Sequence, residues 1–182
     1  MKRSGLYDNT IIILTSDHGE ELGDNGDRWD HCQLLSQEEI WIPLLIKMPG
    51  KNKKIIIKDV VQNIDIYPTL VDYLDKWWRP QFYNSLEGKS LMPLVNKKQS
   101  DTERYACSFW NEQQSIIKGN YKYWLKGTKE FFVNIKNNEE ITDLETNYKL
   151  KKLLEKIVNL YITERDYYKT KTESLKAMGY LQ

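Results

Sequence analysis

At 182 residues, with 27 basic and 26 acidic side chains and a net charge of +1, the chain is long enough to bury a core. Its charge is too balanced for an electrostatic binder of nucleic acid or of an anionic membrane. Twelve Tyr and six Trp exclude a disordered polar chain, no apolar run approaches the ~20 residues of a membrane-spanning helix, and two cysteines without CxxC spacing exclude a disulfide framework.

Met1 to Gly5 lacks the apolar core of a secretory leader and reads as the basic last turn and glycine cap of a helix. Leu6 to Asn9 is a turn. Thr10 to Ser16 is a nearly continuous β-branched run, which predicts a strand buried on both faces of a parallel sheet. Ile40 to Met48 is a second such run, closed by Pro49-Gly50, and Ile55 to Val61 is a third strand or an extended connection. Asp65 is placed to cap a helix running to Leu74, with Pro68 tolerated in its first turn. Lys76 to Ser100 reads as an irregular segment punctuated by proline. From there the spacing predicts an antiparallel meander: Tyr105–Trp110, Gln114–Lys118, Tyr121–Leu125 and Phe131–Ile135, broken at Gly119-Asn120, Gly127 and Asn137-Asn138. Leu150, Leu153, Leu154, Ile157, Val158 and Tyr161 lie at helical spacing and predict an amphipathic helix over 147–168 packed on the meander. A short helix over 173–178 follows, stopped by Gly179.

The strand end at Asp17, His18 and Gly19 carries the chemistry. Sites in open α/β sheets form outside the carboxyl ends of strands. A carboxylate beside an imidazole is a natural pair of metal ligands, with Gly19 expected to let the backbone turn sharply. The same tripeptide also fits an Asx-type turn with a surface histidine. The loop behind it is acidic (Glu20, Glu21, Asp24, Asp27, Asp30), and the only other histidine of the chain, His31, closes it. No GxSxG elbow supplies a serine for a hydrolase triad, and no Gly-rich phosphate loop is present. Cys32 and Cys107 read as small buried apolar residues.

The stretch YDNTIIILTSDHGEELGDNGDRWDHCQLLSQEEIWIPLLIKMPG resembles the second half of type I sulfatases, members of the alkaline phosphatase superfamily. Asp17-His18-Gly19-Glu20, Trp29-Asp30-His31, Glu38-Glu39, Pro43-Leu44 and Pro49-Gly50 stand at that family's spacings. VVQNIDIYPTLVDYL, LEGKSLMPLV, IIKGNYKYW, FFVNIKNNEEITDL and the ending LKAMGYLQ extend the resemblance over nearly the whole chain. Asn134 and Asn137-Asn138-Glu139-Glu140 depart from the family's acidic turn.

The resemblance implies an α/β fold: part of an alkaline-phosphatase-like parallel-sheet sandwich, truncated, followed by a small α+β subdomain with an antiparallel sheet and a packed helix. It divides the chain into residues 1–100, the C-terminal part of the catalytic domain, and 101–182, the small subdomain. It implies that Asp17 and His18 are ligands of a divalent cation, usually Ca2+. His31 takes the catalytic position, directed at the sulfate oxygens or the leaving group. Glu20 and Glu21 are expected to be solvated or to stand behind the ligands, and Trp29 to be a packing wall. The family's nucleophile, a formylglycine made from cysteine or serine within Cys-x-Pro-x-Arg, fits neither Cys32 nor Cys107 and is expected in a preceding N-terminal part. The expected substrate of the full enzyme is a sulfated small molecule or glycan, with the present chain holding half of the site and inactive alone. Phosphoethanolamine or phosphoglycerol transferases and phosphonate monoester hydrolases share the Asp-His-Gly pair and stay open, as does a non-catalytic remnant. Compartment and oligomeric state are not legible.

Overall fold

In the computed structural model, the described residues are 4–23, 29–30, 34–50, 53–74, 88–96 and 103–177, with the backbone alone for residue 30 and from 161 onward. Near the N-terminus, β1 (Ile12–Thr15) pairs with β4 (Leu44–Lys47), and a small ribbon joins β2 (Glu21–Leu22) to β3 (Trp29–Asp30). Between them lies a one-turn helix, α1 (Gln37–Ile40). α2 (Ile66–Leu74) extends a 3-10 turn over Asn63–Asp65, and α3 (Met92–Val95) precedes the second layer.

The second layer is a five-stranded meander in the order β5 (Tyr105–Trp110), β6 (Gln113–Lys118), β7 (Tyr121–Lys126), β8 (Lys129–Asn134), β9 (Glu139–Glu140). Its tight turns fall where the glycines and asparagines predict them; Asn111 and Gly127 take positive φ, of 50° and 57°. Residues paired across antiparallel strands share a face. Cys107, Ile116, Tyr123 and Phe132 therefore form one row, and they meet Leu150 and Leu154 of α4 (Leu144–Ala177) to make the core. Tyr123 stacks on Phe132 with ring centroids 4.7 Å apart. Asp143 starts α4, its carboxylate accepting from the Thr146 backbone N–H at 3.0 Å.

The opposite face carries Ala106, Ile117 and Lys122 in one row and Ser108, Ser115 and Trp124 in the next, and it turns to the N-terminal layer. Lys122 Nζ donates to the Leu35 carbonyl, while Leu35 N–H donates to Gln113 Oε1 at 3.4 Å. Arg104 donates to Asp65 at 3.0 Å, and the Cys107 N–H donates to Gln62 Oε1 at 2.9 Å. The sheet thus holds α1 and α2 through buried polar contacts.

The structure changes several sequence expectations. β1 and β4 run antiparallel, not parallel, and neither is buried on both faces: Leu14 and Thr15 of β1 and Leu45 of β4 are exposed. An apolar β-branched run has the same appearance in either direction, so the sequence could not settle the pairing. The run beginning at Ile40 opens as the end of α1, because Ser36 accepts the Glu39 N–H and caps a helical turn. Residues 55–61 make no ladder, so of the two readings left open there the extended connection holds. Asp65 caps from inside the 3-10 turn, reaching back to accept the Gln62 N–H at 3.0 Å. The two C-terminal helices are one continuous α4.

Lys122 gives this interface a pH signature. Burial pushes its amine down from 10.5 to about 8, against the attraction of Glu38. Below about pH 8 the lysine is charged both folded and unfolded. Between about 8 and 10.5 the unfolded chain holds the proton that the folded one has lost, so stability rises with pH by up to about 3 kcal/mol. Urea unfolding of the native protein and of Lys122→Met should show the difference moving in favour of the native chain across that window. A pH-independent difference contradicts this.

Candidate functional site

β1 delivers Asp17 and His18 from its C-terminal end. The two side chains are 90% and 38% exposed, and His18 Nε2 lies 3.8 Å from Asp17 Oδ2. The His18 backbone N–H donates to Asp17 Oδ1 at 3.0 Å, the Asx-type turn that the sequence left open. It does not exclude ligation, because a carboxylate has further lone pairs.

His18 Nδ1 lies 2.7 Å from the Gly19 carbonyl, which can only accept. The ring therefore donates through Nδ1, and in its neutral form the lone pair is on Nε2, the tautomer that a backbone carbonyl fixes in a ligating histidine. The same contact raises the imidazole above its ordinary value, against desolvation, with help from Asp17, Glu20 and Glu39.

Gly19 is essential here for space. It does not adopt the positive φ that a sharp turn would need. A Cβ at this position would lie 1.9 Å from the Glu38 carbonyl oxygen, and the Gly19 N–H donates to the Glu39 carbonyl at 2.7 Å. The strand end is pressed directly onto α1. Glu39 is buried there, its carboxylate accepting from the Leu34 N–H at 3.3 Å. On the other side Asn63 donates to the Ser16 carbonyl at 3.2 Å and its oxygen meets Thr15 Oγ1 at 3.3 Å. Sequence reasoning missed Glu39 and Asn63; the Ser36-x-x-Glu39 spacing of a helix start was the available signal for the first.

A cavity of about 410 Å3 opens on this pair, and β5 of the meander closes it opposite α1. A larger one, about 1100 Å3, lies between residues 55–60, the β6–β7 turn and α4; its lining includes neither Asp17 nor His18. Cys107 borders the smaller cavity, but its side chain packs in the row under α4 and its thiol is pushed up to about 12 by burial. It is therefore a poor nucleophile near neutral pH.

His31, Cys32 and the acidic residues Asp24 and Asp27 lie outside the described residues. Glu21 is fully buried, which removes the solvated alternative and leaves the one behind the ligands, and Trp29 is 73% exposed, unlike a packing wall. Among the described residues, no group of three or more His, Cys, Asp or Glu side chains converges on one point. Calcium takes six to eight oxygen ligands. Asp17 and His18 thus fit as part of a donor set and do not complete one.

The sulfatase family model matches residues 1–76. A sulfatase of Formosa agariphila is 31% identical over 158 residues, 85% of this chain and 30% of that protein. A phosphonate monoester hydrolase from Silicibacter pomeroyi superposes with a TM-score of 0.67 at 20% identity, over 89% of this chain and 36% of that one. A 2-O GAG sulfatase superposes with a TM-score of 0.58 at 23% identity, over 90% and 38%. The chain spans about a third of the length of these proteins, which agrees with the C-terminal placement that its motifs imply. No helix among the described residues is long and apolar enough to cross a membrane. The motifs, the family match over residues 1–76 and the shared alkaline-phosphatase-like fold lead to one conclusion: residues 1–76 carry a sulfatase-family segment, and the chain is similar to sulfatases over most of its length.

Proposed function

We propose that this chain is the C-terminal portion of a hydrolase of sulfate esters and carries part of its metal and sulfate site. In this reading Asp17 and His18 hold a divalent cation, Ca2+ by the family's usage, together with ligands from outside the 182 residues. A cation bound there would supply positive charge for the sulfate oxygens. His31, thirteen residues beyond His18, faces the substrate as a donor to the sulfate or as the acid for the leaving group. The formylglycine nucleophile comes from a preceding part of the protein. Residues 1–100 then complete the catalytic layer, and 101–182 form the subdomain that braces it.

The observation that carries this reading is the orientation of His18. Its Nδ1 is committed to the Gly19 carbonyl, its Nε2 lies 3.8 Å from Asp17 Oδ2, and both residues line one cavity. The similarity to a 2-O GAG sulfatase supports a sulfated glycan as substrate, within the broader class of sulfated small molecules. The similarity to a phosphonate monoester hydrolase keeps a second reading, the same site acting on phosphoryl or phosphonyl esters.

Sequencing the gene upstream of the Met1 codon tests the proposal. An in-frame Cys-x-Pro-x-Arg with metal-binding aspartates around it is expected. A threonine nucleophile there favours the second reading, and an in-frame stop favours a remnant without chemistry.

A further inference from the structure

We propose that Trp110 is the residue that selects the substrate's sugar, by stacking on the ring of the sulfated saccharide held at Asp17 and His18; this rests on the sulfate-ester reading above. β5 is the outermost strand of the meander, and it walls the cavity that contains the Asp17–His18 pair. Along β5, Ala106, Ser108 and Trp110 alternate onto the face turned to the N-terminal layer. Trp110 is the last and largest of them. The two-residue turn Asn111-Glu112 follows it, and its partner across the hairpin is the buried Gln113.

The backbone is held in the strand ladder, yet the indole stays 42% exposed. Phe109 beside it, 41% exposed, alternates onto the opposite face of the sheet and leaves Trp110 as the aromatic of β5 on the cavity side. A large, partly exposed indole beside a cavity that also holds a carboxylate and an imidazole suits an amphipathic ligand. The C–H face of a pyranose packs on the indole, and its hydroxyl and sulfate groups turn to Asp17, His18 and the Asn63 amide. At about 410 Å3 the cavity is at the small end of ligand sites, roughly 300–1,000 Å3, which suits one ring with the remainder of a glycan outside. A side chain on a hairpin strand, and not on a loop, keeps that ring in register with the reacting sulfate.

The test is a titration of the 182-residue protein, followed by the tryptophan indole N–H signals. The probes are monosulfated monosaccharides with glucosamine, galactose and rhamnose cores, each beside its unsulfated form. At least one sulfated sugar should shift the indole signal that disappears in Trp110→Ala. Trp110→Ala should weaken that sugar's binding at least fivefold, and Trp110→Phe, which keeps a stacking face, should restore most of it. Unchanged affinity in Trp110→Ala with an unaltered amide spectrum overturns the proposal, and so does an absence of binding by every sugar. Neither result bears on the nucleophile or the metal ligands. Conversely, an upstream stop codon removes the hydrolase reading while leaving the stacking measurement to stand by itself.

Discussion

Replacing Asp65 by alanine is expected to cost about 3–5 kcal/mol, a large part of the 5–15 kcal/mol that holds an ordinary domain folded. Asp65 is 2% exposed and meets four elements at once. One carboxylate oxygen accepts the Lys89 N–H at 2.7 Å; the other accepts the Gln62 N–H and Arg104, each at 3.0 Å. Its own backbone carbonyl takes the Thr69 hydroxyl at 2.5 Å. Removing the carboxylate strands the Arg104 guanidinium, itself only 6% exposed, in the interface between α2 and β5. An isolated buried charge costs more than the ion pair contributes, so Arg104→Met in the Asp65→Ala background should recover much of the loss. Urea unfolding of both single variants and the double variant checks this. A cost under about 1 kcal/mol for Asp65→Ala, or simple additivity of the two changes, contradicts the assignment of Asp65 as the hub.

The second large effect belongs to Gly19. Gly19→Ala places a methyl group 1.9 Å from the Glu38 carbonyl oxygen. α1 must retreat from the end of β1, which also loosens the hydrogen bond from the Gly19 N–H to the Glu39 carbonyl. Overpacking and the weakened bond together should cost about 2–4 kcal/mol. Asp17→Ala, two residues away and largely exposed, should fall within about 0.5 kcal/mol of the native protein. Thermal unfolding of the pair of variants separates a position that the fold needs for space from a neighbour that it does not. Equal stabilities for the two would remove the argument that the strand end is seated on α1.

The meander could be read from sequence because its signals are local. Gly119-Asn120 and Gly127 mark its turns, and the apolar residues at 150, 153, 154, 157 and 158 set the helix face that covers it. The Asp17–His18 pair was legible for the same reason, as a short motif at a strand end. What could not be read depends on contacts distant in sequence. The antiparallel pairing of β1 with β4 is fixed by where α1 turns the chain, a matter of the Ser36 cap. The burial of Glu21 has no local signature at all, since a glutamate in an acidic loop looks solvated. Trp110 stands more than ninety residues from His18, and only the docking of Gln62 and Asp65 onto β5 puts them beside one cavity. The break expected between the C-terminal helices failed because the polar residues around Tyr168 to Thr172 do not by themselves end a helix.

Under the function proposed above, Asp17 and His18 serve a reaction whose nucleophile lies outside these 182 residues. Hydrolysis of 4-nitrophenyl sulfate by the purified, folded chain, with and without added Ca2+, tests it most directly. The account predicts no turnover above the uncatalysed rate in either condition. Calcium-dependent hydrolysis that is abolished by Asp17→Ala would contradict it, because the chain would then hold a complete site of its own.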